Sequence, residues 1–275
     1  QRQMCIRDRP NLYDPVEGTT IADAEVKRIT RKTNLAHIRW SLEDGGEIII
    51  STTRPELICA CGVVLVHPDD NRYRDMIGKT ARLPIKVKGR SDKVKILSHP
   101  SVKMEFGSGV LMVCSYGDQN DVSVFRELKL EPFQAIDLEG RMTGIADQLE
   151  GMLVAEARSA AIEMLSSDGR LEGLEEREQE IPVSERGENP IEIILLKEWY
   201  VKQVGIQERL EQLTHEIRFI PERNKQLLLD WMENISIDWP ISRRRWYHTE
   251  IPIWYTDDDK VLSLIHISEP TRPLY

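Results

Sequence analysis

The sequence has few cysteines and no long apolar run. Only four of its 275 residues are cysteine, too few for the disulfide framework of a small secreted domain. No apolar stretch reaches the roughly 20 residues that cross a membrane, and no secretory signal opens the chain. The net charge of −9 excludes a general attraction to nucleic acid, so any such contact needs a local basic patch. We expect a cytoplasmic protein with no membrane association and one large or two small domains.

The three internal cysteines are predicted to be buried thiols. Cys59 and Cys61 stand two positions apart, and Cys114 is distant from both in sequence. No second pair completes a zinc site of the usual spacing. Free cysteine is among the residue types most often buried, so no metal is expected at these positions.

Both ends of the chain have the form of translated adapter DNA. When "MCIRDR" at residues 4–9 is reverse-translated, the complementary strand encodes "LSLIHI" in a shifted frame, and that string stands at residues 262–267. Two ends that are reverse complements indicate sequencing-adapter DNA. We therefore predict that residues 1–10 and 261–275 are not native and that the rest is an internal fragment of a longer protein.

Short strands with frequent turns are predicted in the first half. "AHIRWSL" and "EIIIST" flank the hairpin signal "DGG", and "CGVVLV" stops at the turn "HPDD". Further strands are expected in "KTARLPIKV", in "KVKILSH" and at residues 110–115. This pattern favours an α+β fold with a β-barrel-like core and flanking helices.

Helices are predicted mainly in the later part of the chain. "DVSVFRELKL" has helical spacing, as does "VAEARSAAIEMLSSDG", which Gly169 ends. The run "EGLEEREQE" is interpreted as an acidic hinge, and "VGIQERLEQLTHEI" predicts a further helix. Pro221 is expected to begin the last helix, because proline suits a first turn.

Two polar motifs stand at the ends of predicted strands. "TTRPE", from Thr52 to Glu56, offers two hydroxyls and a guanidinium, groups that bind ribose or phosphate; the alternative is a structural loop. Gly117, Asp118 and Asp121 follow the apolar strand "VLMVCS". Such a carboxylate pair can hold a metal, act as acid and base, bind a cationic substrate or cap a helix.

The combination of "TTRPE" with "EFGSGVLMVCSYGDQND" resembles the editing domain inserted in class I aminoacyl-tRNA synthetases for valine, isoleucine and leucine. The arginine after the threonine pair is most similar to the valine branch. "DWPISRRRWYHTEIPIW" resembles the return of the chain into the catalytic fold of that branch. The resemblance covers residues 13–260. It implies an editing domain over 11–180 and a partial α/β nucleotide-binding (Rossmann-like) segment over 181–260.

The resemblance implies roles for individual residues. Asp121 matches the aspartate that holds the ammonium group of a misattached amino acid, a cation that needs a carboxylate partner once desolvated. Asp118 matches its companion carboxylate. Thr52, Thr53 and Arg54 match the loop that holds the terminal adenosine.

Further substrate contacts are expected from the same region. Phe106 matches an aromatic residue that packs beside the adenosine. Met112 and Cys114 stand where some family members carry lysine and threonine, so Cys114, Ser115 or a backbone group is expected to contact the hydroxyl of a bound threonine. The alternatives are that either aspartate caps the following helix and that Phe106 belongs to the core.

The reaction implied is hydrolysis of threonyl-tRNA(Val) at its 3′ end. An apolar valine pocket rejects the nearly isosteric threonine by only about 10², a general figure for this class, so a second, hydrolytic site is needed. The ester is already activated, so we name no general base and expect no cofactor for editing.

The partner is tRNA(Val), and no obligate protein partner is expected. ATP and Mg²⁺ would serve the full-length enzyme. Without H-I-G-H or K-M-S-K-S motifs, this chain alone is not expected to charge tRNA.

The late basic run has two interpretations. Arg243, Arg244 and Arg245 either contact tRNA phosphates or pair with the abundant acidic side chains.

Ser184 and Gly187, and later "TDDD", stand where family members often carry the cysteine pairs of a zinc knuckle, so no metal is predicted there.

Three other functions stay open. The chain is alternatively the editing domain of an isoleucyl or leucyl enzyme, or a module that binds the tRNA end without cleaving it. The third is a metal-dependent hydrolase using Asp118 and Asp121, against which stands the lack of nearby histidines or further clustered carboxylates. Whichever holds, the tryptophan-containing return segment is expected to expose apolar surface and to self-associate.

Overall fold

The computed structural model describes residues 4–263 apart from 204, 234, 236–237, 243, 245–248 and 259, with side chains over residues 9–262. The chain forms two compact units. The first unit is Pro10–Leu195, and the second comprises the described residues up to Arg9 and from Leu196 onward. Within the described ranges, no helix is both long and apolar enough to cross a membrane.

Strands make up the larger part of the regular structure in the described residues. The strands are β1 (Met4–Asp14), β2 (Thr19–Thr20), β3 (Val26–Ser41), β4 (Glu47–Thr52), β5 (Cys61–Val66), β6 (Thr80–Arg82), β7 (Lys93–Ser98), β8 (Val110–Cys114), β9 (Leu171–Ser184), β10 (Glu192–Val201), β11 (Trp239–Pro240), β12 (Ile253–Tyr255) and β13 (Val261–Ser263). The α-helices are α1 (Gln119–Glu127), α2 (Val154–Ser167), α3 (Gln207–Thr214) and α4 (Asn224–Glu233).

The first sheet has the order β4-β3-β9. The antiparallel β3–β4 pair turns at Gly45 and Gly46, both with positive φ, which confirms the predicted hairpin. The later half of β3 is buried and includes Trp40 at 0% exposure, whereas its first half is mostly exposed. Alternating apolar residues thus place half of this long strand in the core.

The prediction of an acidic hinge at "EGLEEREQE" is wrong. These residues lie within β9, which pairs antiparallel with β3 from Val26 opposite Ser184 to Leu35 opposite Glu175 and beyond. We call this pair of segments, residues 26–35 and 175–184, the ribbon. Its outer residues are largely solvent-exposed, so charged side chains are tolerated and no apolar alternation marks the strand. The backbone hydrogen bonds of β3 decide its conformation instead.

The second sheet has the order β6-β7-β5-β8, with β5 and β7 parallel and the other pairs antiparallel. A bridge between Leu42 and Ala81 connects it to the first sheet. The result is a mixed α+β structure with a curled, half-barrel sheet. The strands predicted in the first half of the chain are present, but the one in "KTARLPIKV" is limited to Thr80–Arg82.

The predicted helices are present, but several of their ends differ from the prediction. α3 is Gln207–Thr214, shorter than the predicted run "VGIQERLEQLTHEI". α2 ends before Gly169, whose φ is +67°. α1 begins two residues before the predicted "DVSVF" run, because Asp118 caps it. α4 begins at Asn224 and not at Pro221, because the preceding residues form a turn in which the Asn224 N–H donates to the Pro221 carbonyl at 3.1 Å.

Helix α1 is held against the second sheet by a close backbone approach. Phe125 lies in a buried cluster with Val63, Leu65 and Val113. A Cβ added at Gly62 in β5 would lie 2.4 Å from Phe125 Cζ. The ring is enclosed and cannot move aside freely, so the seating of α1 depends on glycine at this position.

We predict that Gly62→Ala lowers the free energy of unfolding by about 1–3 kcal/mol, the usual cost of overpacking a core. The measurement is urea unfolding followed by circular dichroism. The matched control is Gly173→Ala in β9, where the nearest atom to an added Cβ is His37 Cδ2 at 4.0 Å. Equal losses in the two variants would contradict the close-approach argument.

The described residues of the second unit include short antiparallel strand pairs and the helices α3 and α4. β10 pairs antiparallel with β11, as β12 does with β13, and Trp199 Nε1 donates to Tyr255 Oη at 2.7 Å. Several large apolar side chains are exposed: Ile217, Ile220, Leu227, Trp231, Trp239, Trp254 and Tyr255. This confirms the exposed apolar surface expected for the segment, while self-association and a Rossmann-like identity stay predictions.

Candidate functional site

Asp121 lies in the first turn of α1, just after the turn that ends β8. Tyr116 adopts a left-handed backbone with φ of +61°, and Gly117 follows. A Cβ on Gly117 would lie 2.2 Å from Asp121 Oδ2, so only glycine lets the carboxylate lie this close to the backbone. The main-chain N–H of Cys114 donates to the same oxygen at 3.2 Å. The carboxylate is therefore held at the end of β8.

The surroundings of Asp121 disfavour its charge. Burial raises the pKa of Asp121 well above its ordinary value, and the neighbouring Asp118 carboxylate raises it further. The N–H of Cys114 and the guanidinium of Arg54 act in the opposite direction. Such a carboxyl group is stabilised in its ionised form when a cation approaches it. The site is thus suited electrostatically to a positively charged ligand.

Asp118 is the N-cap of α1. Its Oδ1 accepts a hydrogen bond from the Asp121 N–H at 2.8 Å, which confirms the capping alternative for this residue. Caps of this kind are worth about 1 kcal/mol. Asp118 therefore sets the start of the helix that carries Asp121, and its role as a companion carboxylate stays a prediction.

Arg54 connects "TTRPE" to the Asp121 turn. Its Nη2 donates to Glu192 Oε2 at 2.7 Å and its Nε to Glu56 Oε1 at 3.0 Å, while its Nη1 donates to the Gly117 carbonyl at 3.4 Å. Burial acts to lower the pKa of Arg54, but the Glu192 and Glu56 carboxylates outweigh it and raise the pKa. The guanidinium is permanently charged and oriented by these partners.

Glu56 is the buried centre of this network. Its side chain has 0% exposure, and it accepts hydrogen bonds from Arg158 Nη2 at 2.8 Å and Arg158 Nε at 3.1 Å as well as from Arg54. Arg158 comes from α2, which packs on the 3-10 turn Pro55–Ala60. Sequence reasoning missed Glu56, Arg158 and Glu192. The one available signal was the glutamate that closes the "TTRPE" motif.

We predict that Glu56→Gln lowers the free energy of unfolding by about 1.5–3 kcal/mol, the worth of hydrogen bonds to a charged group. The cost stays below that of a fully orphaned charge because Arg54 keeps Glu192 and the Arg158 side chain is 36% exposed. Urea denaturation measures the effect. Glu163→Gln, on the exposed side of α2, is the control, and a similar loss there would refute the buried-network explanation.

Phe106 stands on a loop attached to the end of β4. The Ser108 N–H donates to Ser51 Oγ at 3.0 Å, and a Cβ on Gly107 would lie 2.5 Å from Ser51 Cβ. The Phe106 ring is 45% exposed, with the Arg177 guanidinium 4.6 Å from its centroid. The core alternative for Phe106 is therefore wrong, and the ring presents surface for stacking.

The remaining predicted substrate residues have local hydrogen-bonding roles. Thr52 Oγ1 accepts the Arg54 N–H at 3.0 Å, and Thr53 is partly exposed next to it. Ser115 Oγ accepts the main-chain N–H of residue 133 at 2.8 Å and donates to the carbonyl of residue 60 at 3.3 Å. The single hydroxyl proton of Ser115 is thus already donated to that carbonyl and is not available to a ligand.

The prediction of buried free thiols is confirmed for Cys59, Cys61 and Cys114. Cys59 lies in the 3-10 turn, while Cys61 begins β5 and faces Cys114 across the β5–β8 pair. Burial raises the pKa of Cys59 to about 12 and that of Cys114 well above its ordinary value. The thiols of Cys59 and Cys114 are therefore poor nucleophiles at neutral pH.

The structure brings most predicted site residues together in the first unit. β4 and β8 lie against each other. Arg54 connects the residues after β4 to Gly117, and Ser51 connects the end of β4 to the Phe106 loop. Two shallow cavities of about 440 and 490 Å³ share Met104 and Glu105 and border the Phe106 loop rather than Asp121. In the described part of the chain, no group of three histidine, cysteine or carboxylate side chains could hold a metal ion.

The described member of the basic run, Arg244, belongs to the second unit. Arg244 Nε donates to Glu198 Oε1 at 3.2 Å. For Arg244 this contact agrees with the alternative in which the basic run pairs with acidic side chains. Arg243 and Arg245 lie outside the described residues. A contact of this run with tRNA stays a prediction.

Comparison with known sequences defines the class of protein. Residues 2–271 match the family described as tRNA synthetases class I (I, L, M and V). The chain belongs to this family.

The particular relatives are valine–tRNA ligases. The chain is 45% identical to that of Nanoarchaeum equitans over 247 residues, which cover 90% of this chain and 32% of the relative. It is 39% identical to that of Aeropyrum pernix over 248 residues, or 90% of this chain and 30% of the relative. The ligase of Sulfurisphaera tokodaii is 37% identical over 271 residues, or 98% and 33%. The resemblance to the valine branch is confirmed, and the chain spans about a third of the length of the curated relatives it matches.

Proposed function

We propose that this chain carries the editing site of a valine–tRNA ligase and hydrolyses threonyl-tRNA(Val) at that site. The observation that best supports this proposal is the position of the Asp121 carboxylate. It is held at the end of β8 and is linked through Gly117 and Arg54 to the "TTRPE" loop. The identity to valine–tRNA ligases favours this branch over an isoleucyl or leucyl enzyme.

Asp121 binds the ammonium group of the misattached amino acid. Burial penalises the isolated carboxylate, so an arriving ammonium relieves an unfavourable charge and gains a charge-assisted hydrogen bond. The Cys114 N–H fixes the Oδ2 oxygen, which limits the orientations of the bound amine. The carbonyl carbon of the same amino acid is then held at a defined distance from the helix start.

The nucleoside end of the substrate binds on the other side of the Gly117 turn. The exposed Phe106 ring offers a stacking surface for the terminal adenine, and Thr52 and Thr53 offer hydroxyls for its ribose. Water attacks the ester carbonyl, and the bond between the carbonyl carbon and the ribose oxygen breaks. The products are threonine and uncharged tRNA. Because the ester is activated, positioning of the water and the carbonyl suffices, and we assign no general base.

Selection of threonine over valine requires a contact with the threonine hydroxyl. Ser115 donates its proton to a backbone carbonyl, so it can meet that hydroxyl only as an acceptor. Cys114, at the end of β8, donates its main-chain N–H to Asp121 in α1 and offers a weak thiol contact. The alternative selector is a backbone group of this turn.

The remaining parts of the proposal concern the whole enzyme. We assign tRNA(Val) as the partner and the cytoplasm as the location. ATP and Mg²⁺ would supply the chemistry of amino-acid activation at a separate site, whose H-I-G-H and K-M-S-K-S motifs this chain lacks. Editing itself is assigned to the first unit and uses no cofactor in this scheme.

We predict that the chain hydrolyses threonyl-tRNA(Val) faster than valyl-tRNA(Val) and that Asp121→Ala slows the threonyl reaction by about 10²-fold or more, as expected when one partner of a desolvated charge pair is removed. The measurement is release of labelled threonine. Glu163→Gln, a change on the exposed face of α2, is the control and should keep the full rate.

Two outcomes would overturn the editing proposal. If a folded sample binds tRNA(Val) but releases no threonine, the chain is a tRNA-end-binding module. If hydrolysis occurs and disappears with a chelator, the metal-dependent alternative is favoured.

We also predict that Asp121→Asn stabilises the fold at neutral pH relative to the unchanged chain. The folded-state pKa of Asp121 is raised, so the folded protein binds more protons than the unfolded one above pH ~4, and ionisation costs stability as pH rises through that window. The asparagine still accepts the Cys114 N–H but never ionises. Thermal melting at pH 4 and pH 7 tests this. A variant that is less stable by the same margin at both values would contradict it.

A further inference from the structure

The ribbon has two unlike faces, and we propose that the face beside Phe106 binds the sugar–phosphate backbone of the tRNA strand that leads to the aminoacylated 3′ end. This inference rests on the proposed function, because it treats the editing site as the place where that strand terminates. It is carried by the strand register, by the contact of Arg177 with Phe106, and by the distribution of charge.

Strand register determines which side chains share the Phe106 face. Thr33 is opposite Arg177, and two residues further along Arg31 is opposite Gln179. Side chains alternate between the faces of a strand, so these four lie on one face. This central part of the face therefore presents two guanidinium groups and two neutral hydrogen-bonding side chains. A guanidinium suits phosphate because its fork of N–H donors matches two oxygens.

The opposite face has the reverse character over the same span. Its carboxylates are Glu176, Glu178 and Glu180, set against the single cation Lys32. Lys32 Nζ is already 2.8 Å from Glu176 Oε1. This face would repel a phosphate chain, so the ribbon distinguishes its two sides electrostatically even though the whole protein is acidic.

The basic face continues directly into the candidate site. The Arg177 guanidinium lies 4.6 Å from the centroid of the half-exposed Phe106 ring. Leu35, on the same face, has its Cδ2 3.7 Å from the position of a Cβ on Gly107. A strand whose last base stacks on Phe106 therefore meets Arg177 first and Arg31 next. Strand geometry places successive residues of one face about 7 Å apart.

Carboxylates lie near both ends of this face: Glu175 is on the face itself, and Glu188 is in the loop after β9, close enough to Lys27 and Arg31 for both cations to help lower the Glu188 pKa. Glu175 lies 3.7 Å from His37 Nε2, and Glu188 accepts from Lys27 Nζ at 2.5 Å. The Lys27–Glu188 pair is exposed on both sides, and such pairs are worth little in water. Between these ends, Arg177 and Arg31 give the face its positive centre.

The test measures the affinity of the whole chain for uncharged tRNA(Val) at several salt concentrations. In Arg31→Gln we expect the Kd at 0.1 M salt to rise about five-fold and the slope of log Kd against log salt to fall by about 0.7, the loss of one phosphate contact on a single strand. Arg28→Gln is the matched control, because Arg28 is exposed on the same strand but opposite Pro182 on the other face. Its affinity and slope should equal those of the unchanged chain.

The outcomes separate this inference from the editing proposal. Equal affinities in Arg31→Gln and Arg28→Gln, or no binding of tRNA by the unchanged chain, overturn the ribbon assignment whether or not threonine is released. Selective weakening in Arg31→Gln, without any threonine release by the unchanged chain, supports the ribbon assignment and overturns editing. Both substitutions are at exposed positions, so their melting temperatures should match that of the unchanged chain.

Discussion

The arrangement of the candidate site depends on one buried carboxylate. Glu56 has no solvent contact and is shared between Arg54, from its own loop, and Arg158, from α2. A buried charge is tolerated only when it is paired and hydrogen-bonded. Glu56 therefore fixes the "TTRPE" loop against α2, and Arg54 extends this network to Glu192 in β10. Because Arg54 also donates to the Gly117 carbonyl, the same constraint reaches the turn that carries Asp121.

Glycines complete the site by permitting contacts that a side chain would block. Gly117 admits the Asp121 carboxylate, Gly107 lets the Phe106 loop approach Ser51, and Gly62 lets α1 settle on β5. At Gly62 and Gly107 two segments distant in sequence come so close that a Cβ would clash. At Gly117 the clash would be with Asp121 of the same turn. The polar residues of the site are thus held by a combination of ionic pairing and close backbone packing.

The fold and the site were predictable from the sequence to different degrees. The hairpin at Gly45 and Gly46, the strand "CGVVLV" and α2 follow local rules of alternation, turn chemistry and capping, and the structure confirms them. β9 was misinterpreted because its residues carry no apolar alternation, and its pairing with β3 is a long-range property. The two functions weighed for Asp118 were equally compatible with its position in sequence, and only the hydrogen bond to the Asp121 N–H shows the cap.

By itself the sequence determined the class of the protein and most of its local elements. The order and spacing of "TTRPE" and "GDQND" indicated the synthetase family. Apolar periodicity located the helices and the strands between residues 36 and 115, because that periodicity depends on neighbouring residues alone. The tertiary structure decided the rest. It paired Arg158 with Glu56 and Glu192 with Arg54, left Phe106 at the surface beside Arg177, and gave the ribbon one basic and one acidic face. Those outcomes depend on which distant segments meet and in what register, and pairing across long stretches of chain is not written in any local pattern.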